Sequence, residues 1–134
     1  MSKHETWRTR KFWQSIGGLL IEEFVAVKGD TNTGRRPVDG VIVLGGETKI
    51  YEGTDYDLSG KDVIVIQTKR DRIGMYLLGQ AYFSKFLIEM HQPRSIRSVA
   101  ICGRGDSVME RLAKEHDVEI VVIPESEKPL HVDQ

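Results

Sequence analysis

An α/β fold, one mixed β-sheet flanked by helices, is what the sequence predicts, and three observations predict it. The segment DVIVIQTKR (residues 62–70) places Val63 and Val65 on one face and Ile64 and Ile66 on the other, as in a central strand covered on both sides. The segment MYLLGQAYFSKFLIEMH (residues 75–91) has the length of a helix and is apolar nearly all round, so most of it has to be buried. Two further apolar runs, Ser98–Cys102 and Val118–Ile123, are separated by a helix-length polar segment that begins at Ser107. Strands alternating with helices make parallel pairs through right-handed crossovers.

The remaining elements follow in order. Residues 4–16 read as a helix whose stripe of Phe12, Trp13 and Ile16 packs on the sheet, and Gly17-Gly18 ends it. Leu19–Val27 reads as a strand between two turn signals, with continuation of the first helix as the competing reading. Gly29–Arg36 is turn chemistry, so Leu19–Val27 and Val38–Leu44 pair as an antiparallel hairpin. Residues 45–61 form an acidic loop region with room for a short strand at Thr48–Glu52. Pro93 stops the long helix, and Ser107 with Glu110 reads as a capping box for a helix through Glu115. Residues 1–124 make a single domain, and residues 125–134 a polar tail with little order.

The 134 residues are 40% hydrophobic and 29% charged, with a net charge of −1, an ordinary balance for a globular domain. No apolar run approaches the ~20 residues of a membrane helix, so no membrane partner is expected. A lone cysteine, Cys102, precludes an internal disulfide. With no signal-peptide pattern at the N-terminus, the expected compartment is the cytoplasm. The near-neutral total hides a segregation. Residues 63–104 carry seven basic and two acidic groups, and residues 105–134 carry three and eight. For phosphate binding a local basic surface counts for more than the global charge.

The candidate site spans the two strands. Asp39 opens the first, and Gln67 and Lys69 close the second. Polar groups at the end of a buried strand are where α/β sites are built. A carboxylate there can hold a hard cation, with an amide oxygen assisting and a lysine orienting water or stabilising phosphorane charge. Such a set needs a further carboxylate, for which Glu22, Glu23 and Glu5 are candidates. The plain alternative is that Asp39 makes a turn contact and that Gln67-Thr68-Lys69-Arg70 emerges into solvent. Arg35, Arg36, Arg70 and Arg72 flank both strands, where they would meet phosphate oxygens or simply form a solvated strand end. The basic first helix, with Arg8, Arg10 and Lys11 around Trp7 and Trp13, offers stacking surface, although burial is the commoner role of tryptophan. The four histidines lack ligand spacing. The Gly103-Arg104-Gly105 turn hints at a phosphate loop but lacks the third glycine.

Pro37-Val38-Asp39, followed after a loop by an apolar strand ending Gln67-Thr68-Lys69, resembles the PD-(D/E)XK nuclease superfamily. The order of elements is similar to that family's αβββαβ core over residues 5–102, with an added C-terminal αβ. The resemblance implies a restriction-endonuclease-like three-layer fold and a Mg²⁺- or Mn²⁺-dependent DNA endonuclease. In that family Asp39 would be the metal-binding aspartate, Lys69 the catalytic lysine, and Gln80 a supporting polar residue. Gln67 stands where the family most often has Asp or Glu, and the Gln-x-Lys form resembles the Mrr-like restriction endonuclease branch. The alternative is a nuclease-like module that binds nucleic acid without cutting it. A chain this small has little surface with which to grip a duplex, so a homodimer, or a place in a larger nucleic-acid-processing complex, is expected.

Overall fold

In the computed structural model the described residues are 3–130, with side chains described from Thr6 onward. Three α-helices and a six-stranded mixed sheet form the domain. The elements are α1 (Lys3–Ile16), β1 (Leu19–Glu22), β2 (Val25–Val27), β3 (Arg36–Pro37), β4 (Gly40–Val43), β5 (Lys49–Ile50), β6 (Asp62–Thr68), α2 (Met75–Glu89), β7 (Ser95–Cys102), α3 (Ser107–Glu115) and β8 (Val118–Val122). The main sheet runs β5-β1-β4-β6-β7-β8, and β2 and β3 make a separate two-stranded sheet. β4 is antiparallel to both β1 and β6, whereas β6, β7 and β8 are parallel.

The alternation in β6 decides the layers. Ile64 and Ile66 face α1, packing with Trp7, Phe12, Leu20, Ile42, Val99 and Ile101. Val63 and Val65 face the opposite side, with Val41, Phe24, Val38 and Ile88 of α2. Ala100 and Cys102 of β7 join α2 and α3 through Leu77, Leu78, Ala81 and Ala113. Burial pushes the Cys102 thiol pKa upward, in line with its role as a small apolar group.

Glycine at the end of α1 is required by geometry. Gly17 and Gly18 have φ of +85° and +84°, and a Cβ on Gly18 would meet the Val43 carbonyl oxygen at 2.5 Å. Gly103 is equally constrained. A Cβ there would lie 2.0 Å from the Arg70 carbonyl oxygen, because the segment after β6 runs against the segment after β7. Gly103 donates to the Asp71 carbonyl and Ile73 to the Arg104 carbonyl, at 3.0 and 2.9 Å.

Several sequence expectations change. Leu19–Val27 is two strands, because Glu23 adopts a left-handed φ of 51° and turns Phe24 into the core. The strand expected at Val38–Leu44 is shorter: β4 is Gly40–Val43 and the preceding Arg36–Pro37 belongs to the small sheet, so Asp39 does not open the strand but lies in the bend between them. The short strand near Thr48 is present as β5, and β7 starts three residues earlier than expected. The cap of α3 is Asp106, whose carboxylate accepts from the Val108 and Met109 amides, while Glu110 reaches back to the Asp106 amide. The segment expected to be a loose tail begins with a 3₁₀ turn at Glu125–Glu127. Arg8, 2% exposed, donates through Nε to the Ile123 carbonyl and through Nη2 to Glu125, fastening that turn to α1. Among the described residues no helix is long and apolar enough to cross a membrane.

At the far end of the sheet Asp62 ties the start of β6 to the start of β7 by accepting from Arg94 and from Ser95 Oγ. The Arg94 guanidinium, then the Ser95 hydroxyl, hold the Asp62 pKa down at about 2. Since the folded pKa lies below the unfolded one, this latch stabilises the fold above about pH 4 and fades as pH falls toward 2. Acid titration of Asp62→Asn, followed by circular dichroism, should show a shallower loss of stability over that interval than the parent. Replacing Gly103 with Ala should lower stability by about 1–3 kcal/mol, because backbone rather than a flexible side chain occupies the Cβ position. Chemical denaturation measures it.

Candidate functional site

The site lies at the carboxyl end of β6. In an antiparallel ladder the Thr68 amide would bond to the strand beside it, but that chain has already bent away at Val38–Asp39 to join β3. The Asp39 carboxylate fills the vacancy, accepting from the Thr68 amide through Oδ2 at 2.8 Å. The Asp39 carbonyl accepts from the Glu23 amide at 3.1 Å, so the kinked backbone of Glu23 adjoins Asp39. On the α1 side the hydroxyls of Thr9 and Thr68 are 2.8 Å apart.

Gln67 points to the other face. It is 8% exposed and donates through Nε2 to Ser84 Oγ at 2.7 Å; Ser84 in turn donates to the Gln80 carbonyl one helical turn earlier, at 2.6 Å. The polar stripe read at Gln80 and Ser84 thus meets Gln67, as i, i+4 spacing on a helix allows. The Gln80 side-chain oxygen is buried and has no hydrogen-bond partner. Gln67, Gln80 and Ser84 line a groove of about 580 Å³ together with Arg35, Arg36 and Pro37 on one wall and Tyr76, Gly79 and Phe83 on the other. Neither Asp39 nor Lys69 lines it.

The expected residues therefore divide into two groups. Asp39, Glu23 and Thr68 meet at the bend, whereas Gln67, Gln80, Arg35 and Arg36 meet in the groove. Glu22 belongs to neither. It accepts from Arg10 Nε and Nη2, both at 2.9 Å, and this bidentate pairing raises the Arg10 pKa. The Glu5 side chain lies outside the described residues, as do those of His4 and His131. His91 has a structural place, with its ring edge-on to Phe24 and Nε2 2.8 Å from the Ala26 carbonyl oxygen.

A hard cation takes about six oxygen ligands, usually with more than one carboxylate among the protein donors. Among the described residues no group of three His, Cys, Asp or Glu side chains is placed to hold a metal. Asp39 is engaged with a backbone amide, Glu22 with an arginine and Gln67 with a serine. The described donors do not fit the Mg²⁺ or Mn²⁺ site that the motif implies.

No protein-family model matches the chain, and no curated protein or solved structure matches it either.

Its electrostatics are uneven. Lys69 forms a backbone bond from its amide to the Ile101 carbonyl, 2.9 Å, which extends the β6–β7 pairing one residue. Arg72 and Arg104 then pair as an isolated parallel bridge. Lys69, Arg70, Arg72 and Arg104 are in this way gathered on two adjacent segments, and Arg70, Arg72 and Arg104 are exposed. None of these four, nor Arg35 or Arg36, forms an ion pair with a described residue, whereas Arg10, Arg94 and Arg97 each hold a carboxylate. The sequence shows the turn that carries Arg104, but only the parallel β6–β7 pairing brings it beside Arg72.

Truncating Ser84 to Ala should leave the buried Gln67 amide N–H without its acceptor and cost about 1–3 kcal/mol. Equilibrium unfolding in urea tests this, and Gln67→Met in the Ser84→Ala background should recover part of the loss by removing the orphaned group.

Proposed function

We propose that this protein binds the phosphodiester backbone of DNA at the basic rim formed by Lys69, Arg70, Arg72 and Arg104, with Arg35 and Arg36 across the bend. It is a nuclease-like module on a restriction-endonuclease-like, PD-(D/E)XK-type framework. The observation that carries the reading is the concentration of uncompensated cations at the carboxyl end of β6 and β7, where the other arginine-rich edges are neutralised by partners. Exposed guanidinium groups free of carboxylates can donate bidentately to phosphate oxygens without first breaking an ion pair. The element order α1-β1-β4-β6-α2-β7 supports the framework, being the αβββαβ succession that the sequence resemblance implies. The rim is the same end of the sheet at which Asp39 and Gln67-Thr68-Lys69 sit. This mode of binding needs no metal.

A second reading, metal-dependent phosphodiester hydrolysis, is favoured by one observation. The Asp39 carboxylate is held against the Thr68 amide, in the middle of Gln67-Thr68-Lys69. Asp39 is thereby held at the end of the strand that carries Gln67 and Lys69, although Gln67 turns to the other face and the described donor set falls short of a cation site. Asp39→Asn separates the two readings, because it keeps an acceptor for Thr68 and removes the charge.

Fluorescence anisotropy on a labelled DNA duplex in EDTA should show binding that weakens steeply with salt. The slope of log K against log[salt] should shrink by about one for each of Arg70, Arg72 and Arg104 replaced by Ala. Binding in EDTA that survives Asp39→Asn supports the metal-free module. Cleavage in Mg²⁺ or Mn²⁺ that disappears in Lys69→Ala supports the nuclease reading instead. Absence of DNA binding at low salt would overturn both.

A further inference from the structure

We propose that the solvent face of α2 is a homodimer interface, in which two copies of this chain pack their α2 helices antiparallel across a two-fold axis. The proposal does not depend on the DNA-binding reading.

α2 buries one face, through Leu77, Leu78, Ala81, Ser84 and Ile88. Its opposite face is also apolar. Tyr76, Phe83 and Met90 are 74%, 65% and 69% exposed, and Phe86 and Met75 are exposed as well. Tyr76, Gly79, Phe83, Phe86 and Met90 recur at intervals of three, four, three and four residues, the spacing of a helix seam that packs on another helix. The only charged residues of α2, Lys85 and Glu89, fall off this stripe by helical rotation, so two copies can meet along it without bringing like charges together. The aromatic rings are already ordered against one another: Tyr82 contacts Phe83 and Phe86 edge-on, with centroids 5.1 and 5.2 Å apart.

Shape selects a second copy as the occupant. Gly79 lies within the stripe, and a Cβ there would meet nothing within 4 Å, which leaves a shallow notch between Tyr76 and Phe83. Antiparallel pairing about an axis at the level of Ala81 seats Phe83 of each chain over the partner's Gly79, and Tyr76 against the partner's Phe86. A parallel pairing would set notch against notch and ring against ring. At 150–250 Å² for a large side chain, the exposed parts of Met75, Tyr76, Phe83, Phe86 and Met90 amount to roughly 600 Å² per copy. A standard interface buries about 800 Å² per partner, so the stripe supplies the greater part of one. A patch of such size lies at the upper end of what monomers expose, where patches are often functional. The second copy would also border the groove, whose outer wall is Tyr76, Gly79 and Phe83, and would set the two basic rims roughly 20 Å apart along the helix pair.

Sedimentation velocity on the full chain, from sub-micromolar to about 100 μM, tests the proposal. The expected result is a reversible dimer that Phe83→Glu dissociates at least about tenfold more readily. Gly79→Leu provides an independent arm: the larger side chain meets open space in the monomer but collides with the partner's Phe83. It should therefore keep or raise the melting temperature of the monomer while weakening the dimer at least about tenfold. A parent chain that stays monomeric throughout, or a dimer that neither substitution weakens, overturns the proposal.

Discussion

Burial of β6 on both faces is the constraint on which the rest of the structure depends. Its isoleucines require α1 as a cover, and its valines require α2 and the β4 side of the opposite core. A strand so enclosed can tolerate polar groups only where it leaves the core, and there each one meets a partner. Thr68 reaches Thr9 and Asp39, and Gln67 reaches Ser84. The candidate site is thus a consequence of how a central strand ends, since a buried polar group without a partner costs more than its hydrogen bond returns.

The same strand end concentrates charge. Parallel pairing of β6 with β7 aligns their C-terminal extensions, and Gly103 is needed for the close approach of the Arg70 carbonyl. Basic residues distant in sequence then lie side by side, as the Arg72–Arg104 bridge shows. Part of the acidic excess of the last quarter of the chain lies elsewhere. Glu119 pairs with Arg97, and Glu125 and Glu127 pair with Arg8 and Lys11 of α1. Three of the acids are thus paired at other edges, while Asp106 and Glu110, which follow Arg104, are engaged in the cap of α3.

α2 carries two apolar faces that its composition merges. Being apolar nearly all round, it reads as a largely buried helix, yet only one face meets the sheet and α3. The surplus hydrophobicity is laid out in a narrow stripe with a glycine notch and no charge, an arrangement that scattered surface apolar residues do not produce. Length and hydrophobicity fixed by sequence therefore overestimated burial within one copy, because they register how apolar a helix is and not how many neighbours the fold supplies.

By itself the sequence determined the central strand, the three helices, the antiparallel hairpin and the parallel succession that follows, since periodicity and turn chemistry are local properties. It also placed Asp39 and Gln67-Thr68-Lys69 at adjoining strand ends, because the alternation of β6 shows where apolar residues stop. Only the tertiary structure decided which way those groups turn. Gln67 and Thr68 diverge to opposite faces, Glu22 closes on Arg10, Glu23 kinks the chain, and Arg104 arrives beside Arg72. Each of those outcomes depends on a contact between residues distant in sequence, and so on the register and packing of several elements at once.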